Sequence, residues 1–159
     1  MRIHFIRHAK AKSSSSSGHD IHRDLSNEGQ KQVVALVDHL KIRIENIDVW
    51  CSTANRTSQT LDVLGKTITF KSIEHFDDLY LCSKATFMEH LWASDSSDDL
   101  VIIAHNFGIS DIVSYFSEEP VELRTSEYVC LDFGDLSRAE TSRGTGTIVD
   151  RYRPFSDPF

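Results

Sequence analysis

The sequence predicts an α/β fold: a single domain of residues 1–159, with a mostly parallel central sheet and helices on both of its faces. Two observations carry this prediction. Short apolar segments alternate along the chain with segments of helical periodicity, an order typical of parallel β-α-β units. One apolar segment, LVIIA at 100–104, contains no polar residue, as expected for a strand buried on both faces.

The first half of the chain contains three strand candidates and two helix candidates. RIHFI (2–6) is the first strand, and a polar stretch rich in serine follows it. A helix is predicted from Ser26 to about Lys41, because Ser26 is a suitable N-cap residue and apolar residues recur at helical spacing. The next elements are the strand NIDVWCS (46–52), the helix ANRTSQTLDVL (54–64) and the strand candidate ITFKSI (68–73).

The second half adds two helices and three strands. Ser83 is predicted to cap a helix over 84–93, and the buried strand at 100–104 is followed by a helix over 108–116. The tail then changes character, since apolar and polar residues alternate in SEYVCLDFG. The predicted tail elements are this strand (126–134), a loop over 137–144 and a returning edge strand, GTIVDRYRPF (146–155).

Composition and charge exclude several functional classes. The formal net charge is −7 and the sequence pI is about 5.5, whereas a nucleic-acid-binding protein normally carries a basic surplus. No stretch is long and apolar enough to span a membrane, and the N-terminus lacks the layout of a signal peptide. The three cysteines are scattered, which favours buried free thiols and a reducing, cytoplasmic location.

Chemically competent side chains collect at three strand ends. The first strand ends at Arg7 and His8, the second at Ser52 with Arg56 in the next helical turn, and the buried strand at His105. Ligands of open α/β sheets bind at the carboxyl ends of the strands. If these strands are neighbours, two arginines and two histidines meet at one edge of the sheet.

Such a group of side chains is suited to phosphoryl transfer. Guanidinium groups carry permanent charge for phosphate oxygens, and a neutral imidazole can attack phosphorus to form a phosphohistidine. A second histidine can stabilise the transferring group, and helix N-termini after Ser52 and Asn106 can add backbone donors. Neither a metal nor a cofactor is required, because the arginines supply the positive charge. Cationic neighbours lower a histidine pKa, so we expect His8 to be neutral and active to mildly acidic pH.

The same segments resemble the histidine phosphatase superfamily. The resemblance covers most of the chain and includes IRHAK (6–10), HRDLSNEGQKQ (22–32), CSTANRTSQT (51–60), DDLYLCS (77–83) and IAHNFGISD (103–111). RHAK in place of Arg-His-Gly and the short chain are similar to the SixA-like phosphohistidine phosphatase branch. The resemblance implies a phosphoglycerate mutase-like fold and a phosphorylated protein or small phosphorylated metabolite as substrate.

The resemblance also implies roles for individual residues. His8 matches the nucleophile, Arg7 and Arg56 match the phosphate-binding arginines, and His105 matches the second catalytic histidine. For substrate binding, Ser52 matches the small residue that opens the arginine helix, and Arg23 matches a branch arginine near the pocket. Asn106, which follows His105, completes the expected substrate-binding set of Ser52, Arg23 and Asn106.

Two positions depart from the family pattern. Ala11 stands where relatives often carry serine or another small polar residue near the phosphate. Leu81 stands where many members carry a glutamate that protonates the leaving group, and Asp77 and Asp78 are the nearby candidate replacements. The absence of an acid suits a substrate whose leaving group needs little protonation, such as the labile P–N bond of phosphohistidine.

Two other functions stay open at this level. A catalytically weak relative that binds phosphate groups or phosphoproteins would also tolerate Leu81. A metallohydrolase could use His19 and His22, although a metal site needs further ligands in good geometry. The sequence assigns no oligomeric state, since an edge strand at the tail permits pairing across a dimer without requiring it.

Overall fold

The computed structural model describes residues 1–154, which form one six-stranded sheet with four α-helices. The strands are β1 (Arg2–Arg7), β2 (Ile47–Ser52), β3 (Phe70–Phe76), β4 (Leu100–Ala104), β5 (Tyr128–Asp132) and β6 (Thr147–Tyr152). The helices are α1 (Asn27–Leu40), α2 (Asn55–Gly65), α3 (Lys84–Trp92) and α4 (Gly108–Ser117). The predicted α/β class is confirmed.

The sheet order is β3-β2-β4-β1-β5-β6, so the three strands that carry the candidate residues are immediate neighbours. β4 pairs in parallel with β1 on one side and with β2 on the other, whereas β5 and β6 are antiparallel additions. Arg7 lies opposite Ala104, and Cys51 lies opposite Ile103. This register brings the ends of β1, β2 and β4 to the same edge of the sheet.

Helices cover both faces of the sheet. α1 and α2 pack on one face with the side chains of Ile6, Val49 and Ile103, and α3 and α4 pack on the other with Phe5, Trp50 and Ile102. All five residues of β4 are buried, as their apolar run predicts, because β4 lies at the centre of the sheet with helices above and below it. None of the helices within residues 1–154 could cross a lipid bilayer.

Several details differ from the predictions. β3 begins at Phe70 rather than at 68, because the chain after α2 continues as a turn in which the Ile68 amide donates to Leu64. Ser83 takes the N-cap position of α3, but its side chain makes no capping hydrogen bond. The predicted last strand extends to Phe155, which lies outside the described residues.

The start of α1 follows the prediction. The Ser26 side chain accepts a hydrogen bond from the Gly29 amide, which satisfies one of the unpaired donors of the first turn. Gly29 itself is required by packing, because a Cβ atom there would lie 2.1 Å from the carbonyl oxygen of Lys10. The N-terminus of α1 therefore packs directly on the loop that follows β1 and His8.

Candidate active site

Two histidines lie side by side at the carboxyl edge of the sheet. His8 follows β1, and its amide donates a hydrogen bond of 3.1 Å to the carbonyl of Ala104, the residue before His105. The two imidazole centroids are 5.0 Å apart, and both side chains are buried. The strand order and register thus bring together the residues that the sequence places nearly a hundred positions apart.

The hydrogen bonds of His8 define its tautomer. Nδ1 lies 2.8 Å from the carbonyl oxygen of Ala9, which can only accept, so Nδ1 carries the proton. The Nε–H of Arg56 donates to His8 Nε2 over 3.3 Å, so Nε2 holds a lone pair. The pKa of His8 is lowered to about 4, mainly by burial and to a smaller extent by the positive charges of Arg56 and Arg7. His8 is therefore a neutral imidazole with an unprotonated nitrogen at neutral pH.

The direction of this shift agrees with the sequence prediction, but its main cause differs. Positive neighbours were expected to lower the pKa of His8, whereas loss of hydration on burial has the larger effect. The backbone acceptor at Ala9 works in the opposite direction and raises the pKa. Thr60 supports this arrangement, since its hydroxyl accepts from the Ala9 amide and donates to the Arg56 carbonyl.

Arg56 is held by an acidic partner that the sequence did not reveal. It lies in the first turn of α2 and is almost fully buried. Its Nη1 donates to the backbone carbonyl of Asp20 over 2.8 Å, and its Nη2 donates to the Asp20 carboxylate over 2.9 Å. The Tyr80 hydroxyl donates to the same carboxylate oxygen over 2.6 Å. These contacts fix the guanidinium plane beside His8.

Asp20 remains ionised at neutral pH. The Tyr80 hydrogen bond lowers the pKa of Asp20 to about 2, with further contributions from Arg23 and Arg56. The sequence offered only positional hints that Asp20 belongs to the site. Asp20 comes three residues before Arg23 in the polar stretch, and Tyr80 lies in the DDLYLCS motif. Nothing local in the sequence indicated that a loop residue reaches α2.

Arg7 and His105 each present a buried nitrogen to the same edge of the sheet. Arg7 Nη1 donates to the carbonyl of Leu123 over 2.9 Å, which anchors the side chain. Within residues 1–154, Arg7 Nε and His105 Nδ1 are buried and have no hydrogen-bond partner. Such groups are costly unless a ligand or water completes them, so they mark the edge as a binding site.

His105 is oriented by Ser52 and Tyr80. Its Nε2 lies 2.8 Å from the Ser52 hydroxyl, and the Tyr80 ring packs edge-on against it at 5.4 Å. Burial, followed by the proximity of His8 and Arg56, lowers the pKa of His105 to about 2. The Ser52 oxygen also accepts from the Ala54 amide at 3.5 Å. A Ser52 hydroxyl that donates to His105 Nε2 leaves the proton on Nδ1, whereas one that accepts from Nε2 leaves the proton there.

The remaining predicted site residues are engaged in local contacts. Arg23 donates from Nε to the carbonyl of Lys12 over 2.6 Å and from Nη1 to Asp20 over 2.8 Å, next to Arg56. Asn106 donates to the carbonyl of Leu123 over 3.1 Å and accepts from a serine hydroxyl on α4. Both side chains thus connect loops around His8 and His105.

The two acidic candidates near Leu81 differ in surroundings from Asp20. Asp78 is held by His90 of α3, with Oδ2 at 2.9 Å from Nε2, and Asp77 is exposed in the turn after β3. Neither carboxylate contacts His8 or His105 in the described residues. Asp20 is the carboxylate at the site, and its low pKa keeps it unprotonated at neutral pH.

The structure adds no further metal ligands to His19 and His22 among the described residues, as the metallohydrolase alternative would require. The His19 and His22 rings are 5.9 Å apart, and His22 Nδ1 lies 2.8 Å from the Ser17 hydroxyl. In the part of the chain that the structure describes, no three His, Cys, Asp or Glu side chains are grouped so as to hold a metal ion. The three cysteines are free thiols, with Cys51 and Cys130 buried and Cys82 half-buried.

Comparisons with known proteins agree with this geometry. Residues 3–80 match the family model of the histidine phosphatase superfamily (branch 1). A search of curated proteins gave no match.

Solved structures are similar over nearly the whole chain. A protein described as phosphohistidine phosphatase SixA from Nakamurella multipartitia shares 19% identity at a TM-score of 0.80, with 98% of this chain and 96% of that chain covered. The protein histidine phosphatase SixA in complex with tungstate shares 22% identity at a TM-score of 0.79, covering 95% and 96%. The phosphoserine phosphatase of Entamoeba histolytica shares 10% identity at a TM-score of 0.64, covering 96% of each chain. These similarities establish the fold.

Proposed function

We propose that this chain, whose residues 3–80 match the histidine phosphatase superfamily (branch 1), is a metal-independent phosphatase that forms a phosphohistidine intermediate on His8. The observation that carries the proposal is the state of His8. Its Nε2 holds a lone pair next to Arg56, at an edge where Arg7 and His105 each present an unpartnered nitrogen among the described residues. The whole chain, residues 1–159, acts as one domain in this proposal.

Substrate binding uses the positive charge of the site. The phosphoryl oxygens accept hydrogen bonds from Arg7 Nε, from the Arg56 guanidinium and from His105 Nδ1–H. Arg23 adds positive charge next to Arg56, and a Ser52 hydroxyl that donates to His105 Nε2 keeps the proton of His105 on Nδ1. The tungstate complex of the structurally similar SixA supports an oxyanion as the ligand class for this fold.

The reaction proceeds in two displacements at phosphorus. The Nε2 lone pair of His8 attacks phosphorus, and the bond to the leaving group breaks with its electron pair on the leaving group. Water then attacks the phosphohistidine, releases inorganic phosphate and returns His8 to its neutral form. Positioning and electrostatic stabilisation by the arginines and His105 lower both barriers.

The leaving group is one that departs without proton delivery. Leu81 occupies the expected acid position, and Asp20 stays ionised because its pKa is about 2. A phosphohistidine meets this requirement when the second nitrogen of its ring already carries a proton, because the ring then leaves as a neutral imidazole from a labile P–N bond. The substrate is therefore a protein phosphohistidine or a small phosphorylated molecule with a good leaving group. The free thiols fit a cytoplasmic location.

Phosphate release tests the proposal directly. The purified protein is incubated with EDTA and either a phosphohistidine substrate or an aryl phosphate, with His8→Ala as the matched control. We expect turnover that EDTA leaves unchanged and that the variant abolishes. Turnover that survives in a folded His8→Ala protein would contradict the proposed nucleophile.

A phosphate- or phosphoprotein-binding relative with weak catalysis is the second candidate, and Leu81 is the observation that favours it. It predicts saturable binding of phosphate or a phosphopeptide, measured by calorimetry, without release of phosphate from either substrate.

A further inference from the structure

Two large apolar side chains are exposed next to the catalytic histidines. Leu81 is 54% exposed and Phe107 is 76% exposed. Leu81 follows Tyr80, whose ring packs against His105, and Phe107 comes two residues after His105. Both side chains therefore belong to segments that wall the site.

The two segments touch each other. A Cβ atom on Gly108 would lie 2.1 Å from the carbonyl oxygen of Cys82, so the backbone after Phe107 packs directly on the backbone after Leu81. Only glycine permits this approach. Leu81 and Phe107 therefore belong to two segments that contact each other next to His105, and we call this pair of residues the apolar rim.

The conformation of Leu81 is unfavourable in itself. Its φ of 49° lies in the left-handed region, which a leucine rarely adopts, and its apolar side chain faces solvent. Strained backbone of this kind concentrates at functional sites, where the surrounding structure holds it in place. Exposed leucine and phenylalanine side chains contribute little to core packing, and their position in the segments next to His105 makes them available to a bound substrate.

We propose that the apolar rim binds an aromatic leaving group of the substrate, and specifically the imidazole ring of a phosphohistidine. This inference rests on the proposed function, since it places the leaving group of the reaction at His8. The two ends of the substrate then have different partners: Arg7 and Arg56 bind the anionic phosphoryl group, and the apolar rim contacts the aromatic ring. Aromatic rings pack favourably on phenylalanine.

The chemistry of the rim disfavours polar leaving groups. The Leu81 and Phe107 side chains are hydrocarbons with no donor or acceptor for a hydroxyl, carboxylate or ammonium group. A phosphorylated sugar or amino acid would have to bury its polar groups against them without compensation. An aromatic ring gains contact area there and has fewer polar groups to desolvate than a sugar or an amino acid.

Binding of two non-hydrolysable phosphonates tests the rim without depending on turnover. Phenylphosphonate and methylphosphonate share the anionic group and differ in the ring. Calorimetry should show tighter binding of phenylphosphonate, and Phe107→Ala should reduce this preference by about 3- to 10-fold while leaving methylphosphonate affinity unchanged. Leu81→Ala should act in the same direction. Ile42→Ala is the matched control, because Ile42 is 80% exposed on the loop after α1.

Other outcomes overturn the proposal in distinct ways. An unchanged preference in both rim variants would show that the ring does not bind there. Equal weakening of both phosphonates in Phe107→Ala would assign Phe107 to the stability of the His105 loop.

Turnover separates the rim from the proposed function. Phosphoramidate has a P–N bond but no ring, so Phe107→Ala should raise the KM for phosphohistidine and leave that for phosphoramidate unchanged. If binding depends on the ring but neither phosphohistidine nor phosphoramidate is turned over, the phosphatase proposal is wrong and the proposed role of the apolar rim stands. Turnover of both with the same KM change would overturn the rim alone.

Discussion

His4 and His8 lie on or next to the same strand and share burial and pKa, yet only one of them lies in the candidate site. His4 is within β1, and His8 follows its end. Both side chains are buried, and burial is the first cause that lowers the pKa of each to about 4. Burial and a shifted pKa therefore do not distinguish a reactive histidine from a structural one.

The partners of the two rings make the difference. His4 Nδ1 lies 2.9 Å from the Tyr128 hydroxyl, and the two rings stack at 5.8 Å. His8 instead has Arg56 at its Nε2 and shares the sheet edge with Arg7. His4 is satisfied by a neutral neighbour, whereas the lone pair of His8 is aligned by a cation.

The surrounding charge balance also differs. A cavity of about 470 Å³ adjoins His4, but its cations are already paired: Arg43 contacts Asp150, and Arg2 contacts Asp132. At His8, Asp20 is the carboxylate that contacts Arg56 and Arg23. Arg7 feels the charges of Glu122 and Glu127 without a direct ion pair among the described residues, so its guanidinium can still bind a phosphoryl anion.

Removal of each histidine should give the largest contrast. His8→Ala is expected to lower kcat by at least about 10⁴-fold, because the nucleophile is lost. His4→Ala should retain near-normal kcat but lower the free energy of unfolding by about 1–3 kcal/mol, since the Tyr128 hydroxyl loses its buried partner. Steady-state kinetics and urea denaturation measure both. Strong loss of kcat in a folded His4→Ala protein would remove the distinction.

Replacement of arginine by lysine should separate the two regions next. Arg56→Lys keeps the charge but loses the planar set of donors that reaches His8 and Asp20 together, so we expect kcat/KM to fall by about 100-fold. Arg43→Lys is the control, because Arg43 pairs with Asp150 in the His4 region. Comparable losses in both variants would indicate a general effect of substitution.

A smaller effect is expected from the acidic partner of Arg56. Asp20→Asn should reduce kcat/KM by roughly 10-fold, because a charge-assisted hydrogen bond that positions Arg56 is weakened. The reduction should be constant between pH 5 and 8, since the pKa of Asp20 is about 2 and the wild-type group stays ionised throughout. Asp150→Asn serves as the control. A reduction that disappears towards pH 5 would mean that Asp20 titrates in this range.

Titration should show the two histidines behaving alike. Both pKa values are lowered to about 4, so the ring resonances of His4 and His8 should stay constant in NMR spectra from pH 8 to 5 and move only near pH 4. Each unfolded histidine titrates near pH 6.5 and takes up a proton first, so stability should decrease as the pH falls from about 6.5 towards 4. A His8 transition above pH 6 would contradict the buried neutral nucleophile.

Much of this molecule follows from local sequence patterns. Strand and helix periodicity predicted the α/β class, and Ser26 predicted the start of α1, because both depend on interactions between residues close in the chain. The strand-end positions of His8, Arg56 and His105 predicted a shared site, since parallel strands end at the same edge of a sheet. This prediction required the assumption that β1, β2 and β4 are neighbours in the sheet, which the sequence does not show.

Tertiary structure alone decided the rest. Asp20 reaches Arg56 from a distant loop, and no local pattern encodes such a contact. Burial is the main cause of the low His8 pKa, and the extent of that burial depends on how the helices cover the sheet. The apolar rim likewise required Gly108 to pack on Cys82, which brings the segments of Leu81 and Phe107 into contact. The sequence determined which groups were present and where its strands end; long-range packing decided their tautomers, their charge balance and their partners.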